Sequence, residues 1–349
     1  MTETNERELH KVALVLGATG GIGGALAARL KTEGYEIRAL HRRAGAMRAR
    51  LPHYQWVQGD AMERADVVAA ATGAALIVHA VNPPGYRNWA QLVLPMINNT
   101  IAAAKASGAR ILMPGTVYNY GPDAFPLVDE DSPQNPVTRK GKIRVELEAR
   151  LEKAAGQGVP VLIVRAGDFF GPGSGNNWFA QGIVKPGKPL ISIGRPGRDG
   201  VGHQWAYLPD VAETMARLLG EADRLPLFAR FHMDGFYDDD GRQMAEAIRR
   251  VCGRPDLEAK AFPWWLMRLA SPFVPLFREL LEMRYLWRVP LRMDNARLVA
   301  LLGEEPHTPI DEALRTTLGQ LGCLPDPAGA TVDAVSRDSA APTSRHALS

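Results

Sequence analysis

The chain has 349 residues, 46% of them hydrophobic, enough to bury a substantial core in one large or two moderate domains. Lys and Arg number 41 against 38 Asp and Glu, so the basic excess that a phosphate backbone demands is missing, which argues against nucleic acid as a partner. Cys252 and Cys323 give no disulfide framework and no ligand pair with a nearby histidine, so no metal site is expected and a reducing cytoplasm is the expected compartment.

The first ten residues read as a charged N-terminal tail; no apolar run follows TETNERELHK, and no secretory signal is expected. From residue 11 the β-rich apolar runs VALVL, EIRAL, YQWV, LIVHAV, RILM and VPVLIVR alternate with longer alanine-rich stretches of helical period. That alternation predicts an α/β fold of the Rossmann type, a doubly wound parallel sheet joined by crossover helices, spanning 11–224.

The first strand runs straight into GATGGIGGALAARL, with Gly17, Gly20 and Gly23 spaced three apart. Gly17 permits the tight turn, Gly20 lets the backbone approach a pyrophosphate, and Gly23 allows close packing of helix on strand. Thr19, Gly21 and Ile22 complete the loop, whose free amides and helix dipole favour phosphates. A dinucleotide is the expected cofactor. At the end of the second strand an NAD-selective site has an acid for the ribose hydroxyls, but here stand His41, Arg42 and Arg43. Arginine pairs with a 2′-phosphate, so NADP is expected over NAD, with solvated surface arginines as the competing reading. After the third strand Asp60 is placed either to bond the adenine or to cap its own turn. His79 and Ala80 close the fourth strand, where the cofactor's ribose would pass.

Beyond residue 170 the pattern loosens into the Gly- and Pro-rich loops GPGSGNNW and GKPLISIGRPGRDG, followed by a helix beginning near Asp210. Asn176, Asn177, Trp178, His203, Gln204 and Tyr207 are candidate pocket-lining groups there. Residues 225–325 read as a smaller C-terminal substrate-binding or lid region. Within it the segment 262–277, FPWWLMRLASPFVPLF, is broken by Arg268, Pro272 and Pro275 and is too short to span a bilayer. A helix pair over a pocket is expected, with membrane-surface or subunit contact as the other readings. The tail 326–349 has too few large apolar groups to pack and is expected to be disordered.

The glycine loop together with GDA at 59–61, HAV at 79–81, GTVYNYGP at 115–122, VRAGDFFGPG at 164–173, AYLPDVAE at 206–213 and LLGEEPHTPIDEALRTTL at 301–318 resembles the extended short-chain dehydrogenases, the NAD(P)-dependent epimerase/dehydratase family, from Val12 to Leu321. The resemblance implies a small-molecule substrate and a Ser/Thr, Tyr and Lys proton-transfer set. Carried over, Thr116 matches the Ser/Thr and Lys142 the lysine that anchors the ribose, but Thr138 stands in place of the tyrosine. An aliphatic hydroxyl is a poor acid near neutral pH. Tyr118 is then the preferred substitute, with Tyr120 expected to be structural; Lys142, beside the cations Arg139, Lys140 and Arg144, is a second candidate acid. Asp168 replaces the family's usual Asn and would contact a polar substrate group, orient Lys142, act as a base, or cap a turn. Two readings follow: an NADP-dependent oxidoreductase or epimerase-like enzyme, or an NADP-binding sensor or scaffold without catalysis. The family's dimer contact implies a homodimer through the stretch 139–156.

Overall fold

The computed structural model describes residues 11–83, 88–173, 175 and 177–324. The expected N-terminal tail 1–10, Asn176 and the expected disordered tail 326–349 therefore lie outside the described residues.

Strands β1 (Val12–Leu16), β2 (Glu36–His41), β3 (Gln55–Gln58), β4 (Ala74–His79) and β5 (Arg110–Gly115) alternate with helices α1 (Gly21–Thr32), α2 (Ala44–Arg50), α3 (Arg64–Ala70) and α4 (Trp89–Ser107). The short β6 (Leu127–Val128) and α5 (Arg139–Ala155) lead to β7 (Val161–Arg165), β8 (Asp168–Phe170), β9 (Ile193–Arg195) and β10 (His203–Tyr207). Helix α6 (Leu208–Gly220) is followed by β11 (Phe228–His232), β12 (Phe236–Asp238), α7 (Gln243–Cys252) and β13 (Ala259–Ala261). The chain continues through α8 (Trp264–Ala270), α9 (Pro275–Glu282), β14 (Arg292–Met293), α10 (Ala296–Leu302) and α11 (Ile310–Gln320).

The main sheet has seven parallel strands in the order β11-β7-β5-β4-β1-β2-β3. Helices cover both of its faces, which is why VLIVR in β7 is buried at every position rather than alternating. The order reverses between β1 and β4, so the carboxyl ends of these two strands open a crevice, the place where such sheets take ligands. This is the Rossmann-type α/β architecture that the alternation of runs predicts.

The smaller region is built on three accessory sheets, β8-β10-β12, β9-β13 and β6-β14. Each joins strands from the range 11–224 to a strand from 225–325, so the pocket loops and the C-terminal residues form one body. Trp178, Trp205, Trp264 and Trp287 share its core with Phe170, Phe179 and Met283. The loop GKPLISIGRPGRDG contributes β9, which exists only because β13 pairs with it. Similarly, Phe228–His232 falls in the range read as the C-terminal region yet forms the edge strand of the main sheet against Val161–Arg165. The segment 262–277 is the helix pair α8 and α9; Trp264 is buried, whereas Trp265, Leu269 and Phe273 are exposed. Among the described residues no helix is long and apolar enough to cross a membrane.

Candidate functional site

The glycine turn is built by close approach of backbone to backbone. Gly17 has φ +96°, and a Cβ there would lie 2.5 Å from the carbonyl oxygen of Ala80. At Gly23 a Cβ would lie 2.2 Å from the carbonyl of Gly17, so the first turn of α1 rests directly on the loop. Gly20 differs: its nearest neighbour would be 3.4 Å away, and it faces outward with Thr19, both exposed. Gly20 also caps α1 with no side-chain hydrogen bond, and no acid occupies the first turn, where Gly21 and Ile22 are half-buried. A helix start left bare of carboxylates and open on one side accepts a diphosphate. The residues present therefore fit a dinucleotide at this turn.

Around it the four expected flanking positions separate. Ala80 donates its amide to Leu16 (3.0 Å) and forms the wall against Gly17. His79, by contrast, is 3% exposed and turns inward, with Nδ1 2.8 Å from the Thr100 hydroxyl of α4. Burial, helped by the positive charge of Arg144, lowers its pKa to about 3, so it is a neutral core group. At the end of β2 the His41 Nδ1 accepts from the Arg43 amide (3.0 Å), while the side chains of Arg42 and Arg43 are exposed and make no ion pair among the described residues. Asp60 caps its own turn through the Met62 amide (3.0 Å) and donates its amide to Asp66 (2.9 Å).

Helix α5 sets the central question. Thr138 is its N-cap: the hydroxyl oxygen accepts from the Gly141 amide at 2.9 Å, and the residue is 3% exposed. The buried face then runs Lys140, Gly141, Arg144, Leu147, Glu148, Leu151. Lys142 lies on the opposite, exposed face, because two residues along a helix turn the side chain by about 200°. The inward positions four apart are Lys140 and Arg144, not Thr138 and Lys142. In the sequence both are neighbouring cations of Lys142; the signal that they face inward is the helical series 140, 144, 147, 148, 151. The helix can sit this close because a Cβ on Gly141 would meet the carbonyl of Tyr118 at 2.2 Å. The Lys140 ammonium contacts the carboxylate of Glu279, that of Glu282 (3.0 Å) and the Glu279 carbonyl (3.1 Å), tying α5 to α9. The Arg144 guanidinium lies 5.1 Å from the ring of Trp89 at the start of α4.

The loop after β5 is held from below by a buried ion pair. Arg165 meets both oxygens of Glu148 (3.0 and 2.8 Å) and donates to the carbonyl of Thr116. Asn119 donates to Glu148 (2.9 Å) and its carbonyl accepts from the Thr116 hydroxyl (3.1 Å). Tyr120 is wholly buried, 3.0 Å from the ring of His232, with Arg165 over its face at 5.1 Å, which fits its structural reading. Tyr118 is half-buried, packed between two apolar clusters. Thr116 is half-buried at the carboxyl end of β5.

Asp168 opens β8 with its carboxylate on a histidine: its Oδ2 lies 2.9 Å from His203 Nε2, and the His203 ring stacks on Trp287 at 3.7 Å, 7° from parallel. His203, Trp205 and Trp287 wall a narrow cavity of about 30 Å³, room for a water-sized group. Asn177 caps the following turn through the Ala180 amide (2.7 Å), and Trp178 is buried. Gln204 is spent on backbone, donating to Met233 (3.1 Å) and Asp234 (2.6 Å), and Tyr207 is buried.

Residues 13–228 match the model of the NAD dependent epimerase/dehydratase family. The chain belongs to this family. Among curated relatives, the 3-diazoavenalumate denitrifying reductase of a Streptomyces species is 30% identical over 178 residues, 46% of this chain and 57% of that protein. The dTDP-6-deoxy-L-talose 4-dehydrogenase (NAD(P)(+)) of Kitasatospora kifunensis is 32% identical over 191 residues, 51% of this chain and 55% of that protein. These matches thus span little more than half the length of the curated relatives. In fold the member resembles MoeE5 in complex with UDP-glucose and NAD, with a TM-score of 0.67 at 18% identity over 89% of this chain and 98% of that one. It also resembles the UDP-glucuronic acid 4-epimerase from Bacillus cereus in complex with NAD, with a TM-score of 0.67 at 15% identity over 89% of this chain and 96% of that one.

Proposed function

We propose that this family member is an NADP-dependent oxidoreductase acting on a carbonyl or hydroxyl carbon of a small molecule, of which a sugar nucleotide is one class. The observation that carries the reading is the glycine turn: a Cβ at Gly17 or Gly23 would strike backbone, while the Gly20 side stays open at the bare start of α1. In this reading Thr19, Gly20, Gly21 and Ile22 hold the diphosphate with their amides, and Arg42 and Arg43 pair with the 2′-phosphate. Asp60 lies at the adenine end and Ala80 beside the ribose. When bound, the nicotinamide supplies or accepts a hydride.

The chain's own groups then bind, orient and exchange the proton. The Thr116 hydroxyl, steered by Asn119, hydrogen-bonds the reacting oxygen, and the Tyr118 phenol moves the proton. In this reading the anchoring charge is carried by Arg144, which packs inward beside His79, rather than by the exposed Lys142. Asp168 with His203 orients a polar substrate group. Homodimerisation through α5 belongs to the same reading.

A second reading, an NADP-binding sensor without turnover, is favoured by α5 itself. Its inward positions carry no phenol, and the Lys140 ammonium is already held by Glu279 and Glu282. Calorimetry with NADPH and NADH, followed by absorbance and product analysis on aldehydes, ketones and sugar nucleotides, separates the two. Turnover that collapses in Tyr118→Phe and survives in Lys142→Ala supports the enzyme as drawn. Tight NADPH binding with no turnover across the panel supports the sensor, and no heat with either coenzyme sinks both.

A further inference from the structure

The helix pair α8 and α9 presents an apolar surface that the rest of the chain leaves uncovered. Trp265 is 69% exposed, Leu266 48%, Leu269 67%, Phe273 86% and Leu276 39%. Isolated exposed leucines are ordinary, but a cluster of this kind within twelve residues, including two aromatic rings, is a contact surface. Its surroundings are basic. Arg268 lies within it, Arg278 in α9, and Arg284 and Arg288 on the turn that follows; Arg198 reaches the same place from the loop after β9. Arg284 is placed over the ring of Trp264 at 5.3 Å, and burial together with the like charges of Arg288, Arg198 and Arg268 lowers its pKa.

Among the described residues, Arg268, Arg278, Arg284 and Arg288 make no ion pair with a carboxylate. The acidic residues between 262 and 288 are Glu279 and Glu282, and both are engaged by Arg139 and Lys140 from α5. Beside the apolar cluster, Arg268, Arg284 and Arg288 line an open cleft of about 480 Å³ together with Thr138, Tyr285 and Glu282, whose carboxylate is already held by Lys140. An apolar tip flanked by these arginines is complementary to a surface that offers acyl chains just beneath negative phosphates. A second protein would need to supply both an apolar socket and several acids at matching places.

We propose that α8 and α9 dock the protein on an anionic phospholipid bilayer, with Trp265, Leu269 and Phe273 entering the headgroup boundary and Arg268, Arg284 and Arg288 holding lipid phosphates in the cleft. The contact is interfacial: neither helix is long enough to span. It is independent of the coenzyme reading, because none of these residues belongs to the glycine turn.

The test is vesicle co-sedimentation of the full chain on phosphatidylcholine alone and on phosphatidylcholine mixed with phosphatidylglycerol. Binding to the mixed vesicles, weakened by salt, is expected, with Arg284→Gln and Arg288→Gln each reducing it about fivefold. Trp265→Ser with Phe273→Ser abolishes it while leaving the melting temperature unchanged, since both side chains are exposed. Absence of binding to the mixed vesicles, or equal binding to the neutral ones, overturns the proposal. So does sedimentation velocity showing a dimer that Phe273→Ser dissociates without any lipid binding, which makes the face a contact between copies.

Discussion

Replacing Lys140 by methionine keeps most of the side-chain volume and removes the charge. The side chain of Lys140 is 2% exposed, whereas those of Glu279 and Glu282 are 23% and 16% exposed. Deleting one member of a fully buried ion pair costs about 3–5 kcal/mol, because the partner is left charged and poorly solvated. Here the two glutamates keep some water, and Arg139 also reaches both, so the cost should fall to just below that range, ~2–3 kcal/mol. Lys142→Met, on the exposed face of the same helix, should stay within about 0.5 kcal/mol. Urea unfolding with a common m-value reads the difference directly. A Glu282→Gln change should cost much less in the Lys140→Met background than alone, since the two share one interaction. Equal losses at 140 and 142, or a larger one at 142, would refute the assignment of the inward face.

Stability should fall as pH falls below about 6.5, the ordinary histidine value. Burial, with Arg144 and Arg165 close by, holds His79 and His232 near 3 in the fold, so the unfolded chain takes up protons that the fold refuses. Each histidine then contributes about 1.4 kcal/mol of lost stability per pH unit down to its folded value. Urea midpoints in the upper part of that window, before carboxylates titrate, should show this slope, reduced by roughly half in His79→Gln; an unchanged slope in the variant contradicts it. Gly23→Ala must push a methyl group against the Gly17 carbonyl, a 2.2 Å approach, and should cost about 1–3 kcal/mol and the NADPH heat as well. Gly20→Ala meets nothing closer than 3.4 Å and should fold normally while binding NADPH more weakly; normal stability in both variants argues against the packing described. Arg42→Ala with Arg43→Ala should lower NADPH affinity by roughly ten- to a hundredfold and leave NADH nearly unchanged. Equal losses for the two coenzymes in titration calorimetry would remove the basis for the NADP preference.

Of the leading strands, β1, β4, β5 and β7 were legible because each is an apolar run largely buried on both faces, β2 and β3 because their apolar residues lie between crossover helices, and the Gly17-Gly20-Gly23 turn because backbone crowding leaves no alternative to glycine at its first and third positions. Phe228–His232 was not singled out as a strand. It carries Arg230 among its apolar residues and pairs on one side only, so neither its composition nor its length marks it. The accessory strands β8, β9 and β12 to β14 owe their existence to partners far away in sequence, which local propensity cannot report. In the site, matching a tyrosine-lysine spacing led to Thr138 and Lys142. The spacing does not report that Thr138 caps α5 or that Lys140 and Arg144 lie on its buried face, because both depend on what α5 packs against. His79 ends a strand at the crevice, where the sequence places the cofactor's ribose, yet Thr100 in the following helix draws the ring into the core.

The edge position of β11 has a practical corollary for anyone dividing the chain. A fragment ending near residue 224 would keep the coenzyme half intact by sequence but strip Val161–Arg165 of its neighbour, baring a fully buried, mostly apolar strand with unsatisfied amides and carbonyls. Such a truncation should self-associate through that row, so any cut meant to yield a soluble nucleotide-binding piece belongs after His232.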